Sequence, residues 1–294
     1  MADRRHWLLL LLVALCCLRV QAAVDVVDDR GAHVQVARPP LRIVSLSPTL
    51  TETVCALGAC DRLVGVDDWS DWPASVHRLP RVGGLEDARI ESIVALQPDL
   101  VLAATSSRVL PRLDALGVPV LALEPRTLAD VRRVLGLLAP VLGARDGAQV
   151  WNEISQGMDA AARRLPAALH GTRVYVEVGS GPYAASAGSF IGELLTRLGV
   201  ANVVPASLGP FPRLNPEFVV RADPQVVIVD GSEAADLRDR PGWRRIAALR
   251  TGRVCVLDAP RADVLMRAGP RIGEAADVLV DCLRGAPAAA GPSR

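Results

Sequence analysis

The segment VGVDDWSDWP, Val64 to Pro73, gathers Asp67, Asp68 and Asp71 around Trp69, with Trp72 directly after. Such closely spaced carboxylates could move protons or hold a cation, while one of the two indoles flanking this turn-like loop is expected to pack inward as core. Metal binding would want Cys and His at closer spacing, and beyond His6 the only histidines are the scattered His33, His77 and His170. No metal site is expected. The chain carries no G-x-S-x-G elbow, no H-E-x-x-H and no Gly-rich nucleotide loop after its first apolar strand. Acids clustered near a turn are usually solvated caps. A secreted α/β enzyme is therefore the lesser reading, and ligand binding the better one.

Arg4, Arg5 and His6 precede an apolar run from Trp7 to Leu18, and Val20-Gln21-Ala22 closes it with a small residue. This pattern predicts a signal peptide over residues 1–22 and export to the periplasm. Cys16 and Cys17 each follow a large residue, so a lipid anchor is not expected. Cleavage removes a net charge of +2, taking the formal charge of the chain from +1 to −1. A near-neutral chain argues against nucleic acid as a partner. Cys55, Cys60, Cys255 and Cys282 remain in an oxidising compartment. Of their three possible pairings, Cys55–Cys60 with Cys255–Cys282 is preferred.

The elements that would position these groups alternate between strand and helix. A β-like entry covers Val24 to Val36, and strands are predicted at Arg42 to Leu46, Leu63 to Val66, Leu100 to Ala104 and Val118 to Leu123. Helices are predicted from Thr49 or Thr51 (as cap) to Leu57, with Glu52 in the first turn, then Ile90 to Leu96, Leu110 to Leu116 and Leu128 to Leu138. A long proline-free helix from Ala144 to Leu165 would span about 33 Å. The alternation then restarts, with strands at Arg173 to Val178, Val226 to Val229 and Val254 to Leu257. Helices follow at Phe190 to Leu198, Pro216 to Arg221, Trp243 to Leu249 and Gly273 to Cys282. The expected fold is two Rossmann-like α/β lobes, 23–143 and 167–285, joined by one linker helix, 144–166, with a ligand cleft between them. A disordered tail is expected over 286–294. Trp151 and Trp243 read as packing residues.

SLSPTLTE (Ser45 to Glu52), VGVDDWSDWP, RIESIVALQPDLVLA (Arg89 to Ala103), NPEFVVRADPQVVIV (Asn215 to Val229) and RAGPRI (Arg267 to Ile272) occur in this order. In that order and spacing the chain resembles the helical-linker periplasmic binding proteins of metal-chelate importers, specifically their cobalamin-binding branch. The resemblance implies a monomer that captures cobalamin or another corrinoid and delivers it to an inner-membrane ABC permease and its ATPase. Haem and ferric siderophores are the alternative ligands of the same fold. It also implies that Glu91 and Glu217, one on each lobe, engage arginines of the permease. Ser47, Pro48, Trp69, Tyr183, Phe211, Asp263 and Arg267 are then the ligand-binding residues, with aromatic faces on the ring and the Asp263–Arg267 pair on peripheral amides. The branch carries further tryptophans where this chain has Leu85 and Ala104. Its usual long-range disulfide would need a cysteine at Leu198, which leaves Cys282 to pair with Cys255.

Overall fold

The computed structural model describes residues 23–179 and 182–285. The expected signal peptide, with Cys16 and Cys17, and the expected tail lie outside the described residues. Strands β1 (Val24–Val27) and β2 (His33–Val36) form an antiparallel hairpin at the entry. The first lobe then runs β3 (Ile43–Ser45), α1 (Pro48–Ala56), β4 (Leu63–Val66), α2 (Ile90–Ala95), β5 (Leu100–Ala103), α3 (Leu110–Ala115) and β6 (Val120–Ala122). Its strands lie in the order β4-β3-β5-β6, all parallel. Every residue of β3, β5 and β6 is buried, as expected where helices cover both faces of a parallel sheet.

The second lobe runs β7 (Arg173–Gly179), β8 (Tyr183–Ala184), α6 (Phe190–Arg197), β9 (Ala201–Asn202), α7 (Pro216–Ala222), β10 (Val226–Asp230), α8 (Ala247–Arg250), β11 (Val254–Leu257), α9 (Ala259–Met266) and α10 (Ile272–Arg284). Its parallel strands lie in the order β9-β7-β10-β11, with β8 added antiparallel to β7. In both lobes the first strand has its successor on one side and the next two on the other. The order reverses there, and the crevice beyond the strand C-termini is the usual ligand position in such sheets.

Between the lobes lie two helices, α4 (Leu128–Leu142) and α5 (Gly147–Arg164). A capping box of Thr127 and Asp130 starts α4, and Gly143 ends it in the left-handed conformation. Asp146 then caps α5, which spans about 27 Å, one turn less than expected because the cap falls after Ala144. Gly147 lets α5 approach α4, since an added Cβ would sit 2.4 Å from the Leu135 carbonyl oxygen. One apolar core joins Leu50 and Val54 of α1, Leu135 of α4, Met158 of α5, Leu194 of α6 and Leu279 of α10.

Three local expectations are corrected. The cap of α1 is Ser47, because Pro48 has no N–H to lose and its fixed φ seeds the first turn. Thr51 instead shares a 2.8 Å hydroxyl hydrogen bond with Ser70, and Glu52 falls beyond the first turn. The stretch from Trp243 to Leu249 is a 3-10 turn, Trp243–Arg245, broken at extended Ile246 before α8. Trp243 is fully buried and stacks edge-on against Tyr175, with ring centroids 5.9 Å apart. Helix α9 went unread, since Pro260 in APRADVLM marks its first turn.

The structure joins Cys55 to Cys60 and Cys255 to Cys282, which is the preferred pairing. The second bridge closes the longer loop and ties β11 to α10. Replacing Cys255 and Cys282 by serine is expected to cost about 3.5 kcal/mol in denaturant unfolding, against about 2 kcal/mol for Cys55 and Cys60. Equal losses would show that loop closure does not set their contributions.

Candidate functional site

The two sheets point their C-terminal ends at a shared cleft, and the cleft is tied at each end. Glu52, in α1 and only 3% exposed, accepts from Arg267 and from both Nε and Nη2 of Arg271, at 2.6–2.9 Å. Both arginines belong to the second lobe, next to the start of α10. Arg271 also lies over the ring of Trp72, 5.0 Å from its centroid. At the other end Glu193 of α6 accepts from the Leu128 N–H at the start of α4 at 2.6 Å, and the Phe190 N–H donates to the Arg126 carbonyl at 2.8 Å.

Arg267 is the centre of the first tie. Its terminal N–H groups reach Glu52 (2.9 Å), Asp71 (2.6 Å), Asp263 (3.0 Å) and the Trp69 carbonyl (3.1 Å). The Asp263–Arg267 pair therefore forms, but the arginine is 8% exposed and its terminal donors face the chain itself. Asp263 remains open to a ligand: it lines a cavity of about 350 Å³ with Asp230, Ser232 and Asp258. Burial raises the pKa of Asp263 against the opposing charge of Arg267. For Asp71 burial also works against the charge, but the hydrogen bond and charge of Arg267 prevail and hold its pKa below the usual range.

These contacts make the tryptophan loop rigid. Arg81 donates to the carbonyls of Asp67 (2.7 Å) and Ser70 (2.5 Å), and the Asp67 carboxylate accepts the Trp69 N–H at 3.2 Å. Burial pushes the pKa of Asp67 up, with hydrogen bonds from Ser70 and Trp69 opposing it. At the tip of this pinned loop Trp69 is 72% exposed, a flat apolar face held out with its backbone fixed. Of the three carboxylates that suggested catalysis or a cation, Asp67 and Asp71 instead hold the loop that carries the indole. Among the described residues no group of three or more His, Cys, Asp or Glu could hold a metal ion.

Ser47 and Pro48 sit half-buried at the β3–α1 junction. Phe211 packs edge-on against Phe190, centroids 6.1 Å apart, and lines a cavity of about 410 Å³ with Glu124 and Arg126 of the first lobe. Tyr183 is exposed where the chain returns from β7, bridged to Arg213. Leu85, in place of an aromatic, is exposed as well. Glu91 and Glu217 are each exposed in the first turn of a short helix, α2 and α7. Their helices occupy equivalent places in the two lobes, before the third parallel strand of each sheet. Glu52, Arg271, Glu124 and Arg126 were not singled out from the sequence. Glu52 belongs to the SLSPTLTE string, but its partners lie more than 200 positions away.

Two parallel sheets facing one cleft, tied by ion pairs and walled by an exposed indole, define a two-lobed α/β binding protein. The chain belongs to the periplasmic binding protein family, whose model matches residues 43–260. That family consists of substrate-binding transport proteins. A vitamin B12-binding protein of Yersinia pestis is 31% identical over 202 residues, 66% of this chain and 70% of that protein. Another from Pectobacterium carotovorum is 29% identical over 242 residues, 79% of this chain and 84% of that protein. The solved vitamin B12-binding protein of Vibrio cholerae superposes with a TM-score of 0.66 at 25% identity, covering 84% of this chain and 97% of that one. A periplasmic heme-binding protein from Pseudomonas aeruginosa gives 0.68, also at 25%, covering 84% and 94%. Among the described residues no helix is long and apolar enough to cross a membrane.

The two cleft ties should differ in strength. Glu52→Gln would leave two buried guanidiniums short of a counter-charge, at an expected cost of about 3 kcal/mol in chemical unfolding. Glu193→Gln keeps an oxygen to accept the one Leu128 N–H and gives up only the charge assistance, about 1 kcal/mol. Equal effects would contradict the assignment of Glu52 as the main tie.

Proposed function

We propose that this protein captures cobalamin or a related corrinoid between its lobes and delivers it to an ATP-driven permease of the inner membrane. In this reading the mature chain is a periplasmic monomer without catalytic activity, with lobes 23–143 and 167–285 about the linker helix 144–166. The observation that carries it is Trp69, an exposed indole on a pinned loop at the cleft. A large flat ring loses most water by lying on such a face, and a fixed backbone lowers the entropy cost of holding it there. Phe211 supplies an apolar wall on the second lobe. Ser47 and Pro48, with Asp263 and Arg267, would border the ligand between them. The names of the relatives from Yersinia pestis and Pectobacterium carotovorum support a corrinoid over other chelates.

Haem is the second reading, favoured by the exposed phenol of Tyr183 beside the cleft. A haem iron needs an axial oxygen, nitrogen or sulfur ligand. Tyr175 is excluded from that role: it is fully buried and donates to Glu177 at 2.9 Å. Burial and the Glu177 carboxylate push its phenol far above the usual range.

Calorimetric titration separates the two readings. Cyanocobalamin should bind one to one, and Trp69→Ala should weaken it by about 2 kcal/mol, roughly thirtyfold, at unchanged thermal stability. Saturable binding of haemin without corrinoid binding would reject the cobalamin assignment.

Delivery is tested apart from capture. Glu91 and Glu217 would each present a carboxylate to a permease arginine, fixing both lobes in one orientation. Reversing both to arginine should abolish uptake of the chelate in cells while leaving binding by the purified protein within about twofold. Unimpaired uptake would remove the docking role.

A further inference from the structure

At the end of the cleft away from Trp69, β6 delivers Glu124 and Arg126 into the cavity shared with Phe211 and Pro210. Both backbones are fixed. The Glu124 N–H donates to Asp29 at 2.8 Å, and the Arg126 carbonyl accepts the Phe190 N–H at 2.8 Å. The side chains pair at 3.1 Å through one guanidinium nitrogen, and the Thr105 hydroxyl donates to the far carboxylate oxygen of Glu124. The carboxylate is thus held from two sides and the guanidinium from one. Its remaining N–H groups stay available beside an apolar wall. The cavity, about 410 Å³, accommodates a side arm of a large ligand while the ring lies elsewhere in the cleft.

A donor and an acceptor fixed side by side recognise a group that offers the reverse pair. A primary carboxamide does so, its oxygen accepting from the guanidinium and its NH2 donating to the carboxylate. A carboxylate of the same shape has no proton to give and brings like charge against Glu124. We infer that Glu124 and Arg126 form a specificity-determining subsite that reads peripheral carboxamides of the bound chelate and rejects carboxylates. The inference rests on the binding-protein reading above and adds a rule for choosing among chelates. A ring bordered by amides passes, whereas one bordered by free acids is disfavoured at this end of the cleft.

The test compares amide and acid forms of one chelate at a time. Purified protein is titrated with cyanocobalamin and with the monocarboxylic acids made by hydrolysing one peripheral amide, and separately with haemin diamide and haemin. At least one acid should bind about tenfold more weakly than its amide form. Glu124→Gln, which keeps an acceptor for Thr105, should bring that acid to within about twofold of the amide form. Arg126→Gln is the second variant, expected to weaken the amide form without moving the thermal midpoint. Amide forms that bind no better than every acid, or a preference that survives Glu124→Gln, would overturn the subsite while leaving the binding reading intact. Failure of both chelates to bind would overturn the two together.

Discussion

Glu52 is a carboxylate almost out of contact with water that accepts hydrogen bonds from two guanidiniums of the other lobe. Removing any one of these charges from water alone would cost several kcal/mol, and the cost is offset only when all of them meet in good geometry. The geometry exists only with the lobes in one relation, so the network specifies lobe placement more than it adds stability. Arg267 extends the specification to the ligand side, because the same guanidinium holds Asp71 and the Trp69 carbonyl. The position of the exposed indole is in this way a consequence of how the lobes are joined. The shared core through α1, α5 and α10 acts in the same direction by penalising any motion that would open apolar surface.

The lobes repeat one plan, and the ties across the cleft repeat with it. Glu52 lies in the helix after the first parallel strand of one lobe, and Glu193 in the corresponding helix of the other. Each reaches the start of a helix beyond the other lobe's last strand, α10 (the second helix after β11) for Glu52 and α4 (directly after β6) for Glu193. The chemistry is not symmetric: several buried charges meet at one end, and backbone hydrogen bonds serve at the other. The cavity of Glu124, Arg126 and Phe211 lies at the end tied by backbone hydrogen bonds, since the Arg126 carbonyl is one of their acceptors.

Much of this was legible in local pattern. Apolar runs such as Leu100–Ala103 marked the buried parallel strands, and the restart of alternation at Arg173 marked the second lobe. Trp69 and Phe211 were named from the resemblance of their strings to a family rather than from local pattern, since an aromatic beside a strand end serves equally well as core. The cap of α1 was misread because three hydroxyl residues compete within Ser47 to Thr51, and only the fold shows that Thr51 is taken by Ser70. Glu52 looked like an ordinary helix acid. Its role depends on Arg267 and Arg271, and no periodicity links residues so distant in the chain. Arg267, which the resemblance pairs with Asp263 toward the ligand, also meets Glu52 and Asp71, contacts that no local pattern announces.

Recognition in this cleft divides between surfaces that ignore charge and groups that read it. In the proposed reading Trp69 and Phe211 would offer faces to any large flat ring, and the chain's solved neighbours include both a vitamin B12-binding and a heme-binding protein. Selectivity must then come from the polar rim, where a wrongly placed carboxylate or a missing donor costs more than a poor apolar fit. With Arg267 engaged by its own chain, the polar side chains lining the two cavities are mainly acidic or already paired, among them Asp263, Asp230 and the Glu124–Arg126 couple. In the proposed reading such a rim would repel an anionic periphery and accept one rich in N–H donors.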